Sequence, residues 1–176
     1  IDRAATKEFG TRCLIARRLI ERGVRFVHVL TQDQFWDHHH GIRNSLPKAC
    51  KKIDRPIAGL VKDLKRLGLL DSTVVHWGGE MGRLPVVQNE RNAGRDHNTY
   101  GFSMWLAGGG VKPGFTYGAT DDYGFYAVRD KMHIHDFHAT LLALLGMDHE
   151  KLTYRYAGRD FRLTDVSGHV AKEVFA

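Results

Sequence analysis

Two apolar runs set the terms on which this chain can fold. Residues 24–30, with Val24, Phe26, Val27, Val29 and Leu30, and residues 73–77, with Val74, Val75 and Trp77, have the β-branched and aromatic content of strands. Each follows a stretch with apolar residues at helical spacing that a glycine closes. Residues 6–22, carrying Phe9, Cys13, Leu14, Ala16, Leu19 and Ile20, stop at Gly23. Residues 47–67, carrying Ile57, Leu60, Val61, Leu64 and Leu67, stop at Gly68. The alternation continues downstream. Residues 102–107 read as a strand broken by Gly108-Gly109-Gly110, residues 111–114 as a turn and 115–126 as short extended pieces. Asp136 reads as the cap of a helix over 137–145, closed by Gly146. The tail, 152–176, holds Gly158-Arg159-Asp160-Phe161 and a weak final helix. Strands alternating with helices of this length predict an α/β fold, a three-layer α/β/α arrangement with a mostly parallel central sheet.

Ligands of such sheets bind beyond the carboxyl ends of the strands. The loop after the first run, 31–47, contains Trp36-Asp37-His38-His39-His40. The loop after the second, 78–100, contains Gly78-Gly79-Glu80-Met81-Gly82-Arg83 and Gly94-Arg95-Asp96-His97. It exceeds the ~12–15 residues at which structureless loops become uncommon, which points to function. Carboxylate and imidazole are ligand types for zinc and similar divalent ions. In an extended backbone Asp37 and His39 share one face and His38 and His40 the other. Glu80 sits among glycines that let the backbone approach a ligand, or else is a turn carboxylate paired with Arg83. Arg83 has the fork geometry to clamp phosphate or sulfate, or is an ordinary surface arginine. His97 can ligate, and Asp96 can ligate or orient a histidine from behind. His133, His135 and His138 read as residues that cap and solvate a helix start, not as ligands.

The bulk properties narrow the field. A length of 176 residues, 43% hydrophobic and 26% charged, suits about one globular domain. The net charge of +6 is spread over Arg17-Arg18, Lys51-Lys52, Lys62 and Lys65-Arg66 on polar helix faces. It forms no stripe, so nucleic acid is not an expected partner. No apolar run approaches the ~18 residues of a membrane span. Cys13 and Cys50 read as buried free thiols, with a single disulfide as the alternative. The chain opens Ile1-Asp2-Arg3 instead of with methionine, as a piece of a longer protein would.

Residues 73–83, Thr-Val-Val-His-Trp-Gly-Gly-Glu-Met-Gly-Arg, followed by Gly94-Arg95-Asp96-His97-Asn98, resemble the "GEFGR … GRDHW" pattern of an uncharacterised bacterial family, domain of unknown function 1501. That family is labelled sulfatase-like and assigned to the alkaline phosphatase superfamily. Trp36-Asp37-His38-His39 is similar to its "WDTH" motif, and residues 108–114, 136–150 and 154–165 resemble its glycine turn, its following helix and its tail signature. The resemblance implies an alkaline phosphatase-like α/β/α fold, of which this chain is a C-terminal portion, and a metal-dependent hydrolase of sulfate or phosphate esters. It implies Asp37, His39 (or His40), Glu80, Asp96 and His97 as ligands of a divalent ion, zinc or calcium/magnesium. Arg83, Arg95 and His40 would hold a small anionic ester or a sulfated or phosphorylated saccharide. No catalytic residue is identified in the chain, because the nucleophile is expected upstream. Export to the periplasm or cell surface follows from the resemblance alone. Met81 stands where the superfamily has a histidine ligand, which together with the missing nucleophile keeps a non-catalytic module, binding an anionic ligand or a partner, as the alternative.

Overall fold

The computed structural model describes residues 4–32 and 34–176. The opening Ile1-Asp2-Arg3, read above as a sign of a longer protein, lies outside the described residues. The chain divides into two compact units, one of residues 1–70 and 80–99, the other of 71–79 and 100–176.

The first unit is built on two packed helices. Helix α1 is Lys7–Glu21 and α2 is Ile42–Arg66. The buried residues of α1 are Gly10, Cys13 and Ala16, small side chains three apart that let α2 come close. Opposite them α2 buries Ala49, Ile53, Pro56 and Leu64. Arg17 of α1 meets Asp63 of α2 at 2.8 Å, and Arg17 also pairs with Glu21. The hydrogen bond from Arg66, with Arg17 nearby, holds the Asp63 carboxyl below its usual range. Helix α2 begins five residues before the expected start at Pro47. Gly41 supplies its left-handed entry (φ 63°), and both Pro47 and Pro56 lie inside it. Each proline removes one backbone donor, and an amphipathic stripe over 25 residues tolerates that loss. Of the two thiols, Cys13 is buried, and burial pushes its pKa up to about 11; Cys50 is exposed, against expectation, and both are free.

The second unit holds the following elements. Strand β1 is Val75–Trp77 and, further on, β4 is Trp105–Ala107; they pair antiparallel, Val75 opposite Ala107. Between them in sequence, and in the first unit, β2 (Gly82–Arg83) pairs antiparallel with β3 (His97–Asn98). In the second unit β5 (Ala119–Thr120) pairs with β6 (Ala127–Arg129). Helix α3 spans Ile134–Leu144, and β7 (Thr153–Tyr156) and β8 (Arg159–Arg162) close the set as a hairpin. The hairpin turn places Ala157 at φ 46° and Gly158 at φ 81°, the two positive values a two-residue turn requires. The tail is tied to α3: the Thr140 hydroxyl donates to the Asp136 carbonyl at 2.7 Å and accepts from Ala171 N–H at 3.0 Å. The last helix expected in the tail is a single 3-10 turn, Lys172–Val174.

The expected three-layer α/β/α sheet is not what the chain forms. Among the described residues the strands are two to four residues long, and every ladder is a two-stranded antiparallel pair. Parallel pairing needs a long crossover, usually an α-helix, between neighbouring strands, and among the described residues no α-helix links two paired strands. Residues 24–30 carry strand composition without strand structure, and Phe26 is 78% exposed. Composition marks a segment able to pair; it does not provide the partner strand. The cap of α3 also moves. His133 is its N-cap, with Nδ1 accepting from His135 N–H at 3.2 Å, while Asp136 reaches back to His133 N–H at 2.9 Å. No helix among the described residues is long and apolar enough to cross a membrane.

Candidate metal centre

The loop read as structureless over 78–100 is a doubled-back arm. Strands β2 and β3 form its base, Leu84 N–H bonds Asp96 O at 2.8 Å, and Gln88 and Gly94 exchange backbone bonds of 3.0 and 2.9 Å further out. The arm clasps the histidine segment. Arg95 N–H donates to His38 O at 2.9 Å, Gly41 N–H to Asn92 O at 3.2 Å, and Ile42 N–H to Ala93 O at 2.9 Å. Gly94 makes this approach possible: a Cβ there would stand 1.9 Å from His39 O and 2.0 Å from its carbonyl carbon. The segments therefore meet through this clasp, not through a shared edge of a parallel sheet.

Three side chains converge where the arm meets the segment. His39 Nε2 lies 2.9 Å from Asp37 Oδ1, His97 Nε2 lies 3.1 Å from the same oxygen, and the two Nε2 atoms are 3.2 Å apart. Three donors around one tetrahedral zinc, each at about 2.0–2.2 Å, stand about 3.3–3.6 Å apart. The observed triangle is tighter by a few tenths of an ångström, and the donor types are those zinc prefers, so the residues fit the ion. The backbone turns tightly here, with His38 N–H on Trp36 O and His39 N–H on Asp37 O. Asp37 and His39 both enter the triad although the backbone is turned and not extended, and His38 and His40 are outside it.

The surroundings charge and orient the triad. Arg83 Nη2 donates to Asp37 Oδ1 at 2.5 Å, and that bond, with the one from His97, holds the Asp37 carboxyl at a pKa of about 2. Asp37 is an anion at every physiological pH. Arg83 Nη1 also donates to Arg95 O at 3.3 Å, so the guanidinium expected to clamp an anion is engaged within the fold. Asp96 accepts from His97 N–H at 2.8 Å and puts its Oδ1 3.7 Å from His39 Nδ1, on the side away from the triad. It supports the ligands and does not join them. Burial first, and then nearby Arg83, holds the His38 imidazole below its ordinary pKa, and its Nε2 has no hydrogen-bond partner among the described residues. Glu80 and His40 are exposed and stand outside the triad. Arg95 is half-buried and donates to Gly94 O at 3.1 Å. One participant was not anticipated: Gln88 Oε1 lies 2.8 Å from His39 Nδ1. Glutamine is not a common metal ligand, and its position in mid-loop carries no signal.

A family model described as a protein of unknown function (DUF1501) matches residues 1–175. No curated protein matches the chain, and no solved structure does. The expected assignment to a C-terminal portion of the alkaline phosphatase superfamily is corrected by this result, since the match covers nearly the whole chain and carries no link to sulfatases or alkaline phosphatases. What the match establishes is that the chain belongs to the DUF1501 family.

Proposed function

We propose that Asp37, His39 and His97 bind a divalent metal ion and that the protein hydrolyses small anionic esters, sulfate or phosphate. The observation that carries this reading is the convergence of Asp37 Oδ1, His39 Nε2 and His97 Nε2 within 3.2 Å of one another from segments about 60 residues apart. Two imidazoles favour zinc over calcium or magnesium, which take oxygen ligands. Bound there, the ion supplies Lewis acidity toward an ester oxygen and makes a water molecule more acidic. The protein's own contributions are separate. Arg83 keeps Asp37 ionised and aimed, Asp96 steadies the backbone of His97, and Arg95 offers its remaining N–H groups to an anionic group. The solvent-exposed side of His97, 44% accessible, leaves an approach for substrate.

The test is metal analysis of the purified protein together with hydrolysis of p-nitrophenyl sulfate and p-nitrophenyl phosphate by wild type, Asp37→Ala and His97→Ala. Metal retained by the wild type, with metal and activity both lost in the two variants, is the expected result. An absence of metal, with turnover unaffected by either substitution, overturns the reading. A second reading, a non-catalytic module for an anionic ligand or partner, is favoured by the Arg83–Asp37 contact at 2.5 Å, which satisfies the carboxylate without an ion. It predicts binding of sulfate or phosphate with no turnover at any metal concentration.

A further inference from the structure

Imidazole is a ligand only through a nitrogen that carries no proton, so a histidine at a metal site needs something to hold its proton on the other nitrogen. For His39 the two ring nitrogens meet different surroundings. Nε2 faces Asp37 Oδ1 and His97 Nε2. Nδ1 faces two oxygens, Gln88 Oε1 at 2.8 Å and Asp96 Oδ1 at 3.7 Å.

We propose that Gln88 is the positioning residue of this centre: its side-chain carbonyl accepts the Nδ1 proton of His39 and thereby turns the Nε2 lone pair toward Asp37 and His97. The inference rests on the metal-binding reading above and deepens it. Around Asp37 the donors are already assigned. Arg83 Nη2 at 2.5 Å and His97 Nε2 at 3.1 Å both reach Oδ1, so that oxygen receives two donors without His39. A proton on His39 Nε2 would add a third donor to the same atom. The arrangement that spares Oδ1 a third donor puts the His39 proton on Nδ1 and, in the metal-free chain, the His97 proton on Nε2, a proton that His97 would give up to ligate an ion.

Gln88 is held for this task. Its backbone makes both bonds of the bridge to Gly94, and Gly94 lies against the carbonyl of His39. One backbone bridge thus fixes the acceptor and the main chain of the residue it orients. Histidine ligands regularly donate their second nitrogen to a carboxylate or a carbonyl, and loss of that partner costs about 10–100-fold in metal affinity.

The experiment uses the whole chain with Gln88→Met, which keeps the side-chain length and removes the acceptor, and Gln88→Glu, which restores one. Imidazole ¹⁵N shifts in the metal-free protein report the tautomer directly. His39 protonated on Nδ1 in wild type and in Gln88→Glu, and shifted toward Nε2 in Gln88→Met, is the expected result. Zinc titration then shows affinity about 10–100-fold weaker in Gln88→Met and recovered in Gln88→Glu. An unchanged His39 tautomer in Gln88→Met overturns the proposal, and so does unchanged zinc affinity beside a changed tautomer. Wild-type protein that binds no zinc overturns both the metal reading and this role, whereas the tautomer alone failing to respond leaves the metal reading intact.

Discussion

Arg83 and His97 stand opposite each other across the β2–β3 ladder and reach the same oxygen, Oδ1 of Asp37, from 2.5 and 3.1 Å. Directly opposed residues of an antiparallel pair project to one face, so a two-residue ladder is enough to aim both side chains. The carboxylate is thereby charged and placed by the same element that carries one of the candidate ligands.

This pairing has a pH signature. In the folded chain the Asp37 pKa is about 2, below its ordinary value, because the ionised form is bonded. A lowered folded-state pKa stabilises the fold above the unfolded pKa, and the contribution fades as pH falls through the folded value. For Asp37 the fade lies between about pH 4 and pH 2. Urea unfolding midpoints of wild type should fall more steeply across that window than those of Asp37→Asn. Parallel curves for the two proteins count against the Arg83–Asp37 bond.

Gly94 and Gly59 should respond to alanine in opposite directions. At Gly94 the new Cβ meets the His39 carbonyl at 1.9 Å, and backbone must move. Overpacking of this kind costs about 1–3 kcal/mol, and it displaces a ligand as well. Gly94→Ala should therefore lower the melting temperature and weaken zinc binding together. Gly59 lies in the interior of α2 with no atom within 4 Å of the added Cβ. Alanine there should stabilise by about 0.5–1 kcal/mol. Thermal denaturation of both variants decides the matter; a gain at Gly94 would contradict the clasp.

In the second unit the Thr164 hydroxyl, fully buried, lies 2.9 Å from Nδ1 of His149, itself 7% exposed. Thr164→Val keeps the shape and leaves that nitrogen without a partner. Such a loss costs about 1–3 kcal/mol, and Thr164→Ser, which retains the hydroxyl, should recover most of it. Chemical denaturation of the two variants checks the pair, and equal stabilities for Val and Ser would argue against it.

The helices were legible because they are periodic. α1 and α2 each end two residues before the glycine that marks the stop, Gly23 and Gly68. The start of α2 was hidden because proline reads as a first helical position, and here Pro47 follows a turn and more of helix. Residues 24–30 show the limit of composition: Val, Phe and Leu content states what a segment tolerates, and pairing depends on a neighbour that composition does not specify. At the site, Asp37, His39 and His97 were visible as residue types, whereas their convergence was not, because it depends on backbone bonds between the arm and residues 38–42. Gln88 was invisible, since an amide becomes functional only through what it touches.

The residues expected as ligands separate into two groups that substitution can distinguish. His97 is in the triad, and Glu80 is an exposed loop carboxylate outside it. Its candidacy came from the glycines around it and from the superfamily resemblance, and the family match carries no such superfamily link. His97→Ala removes a donor atom and should weaken zinc binding beyond the 10–100-fold that outer partners contribute. Glu80→Gln removes only a surface charge, worth little in water, and should leave the affinity of wild type. Isothermal titration of zinc into the two variants, with circular dichroism to confirm that each is folded, separates the cases. If Glu80→Gln loses affinity as His97→Ala does, the triad is not the whole coordination shell and the arm must close further around the ion than its resting geometry shows.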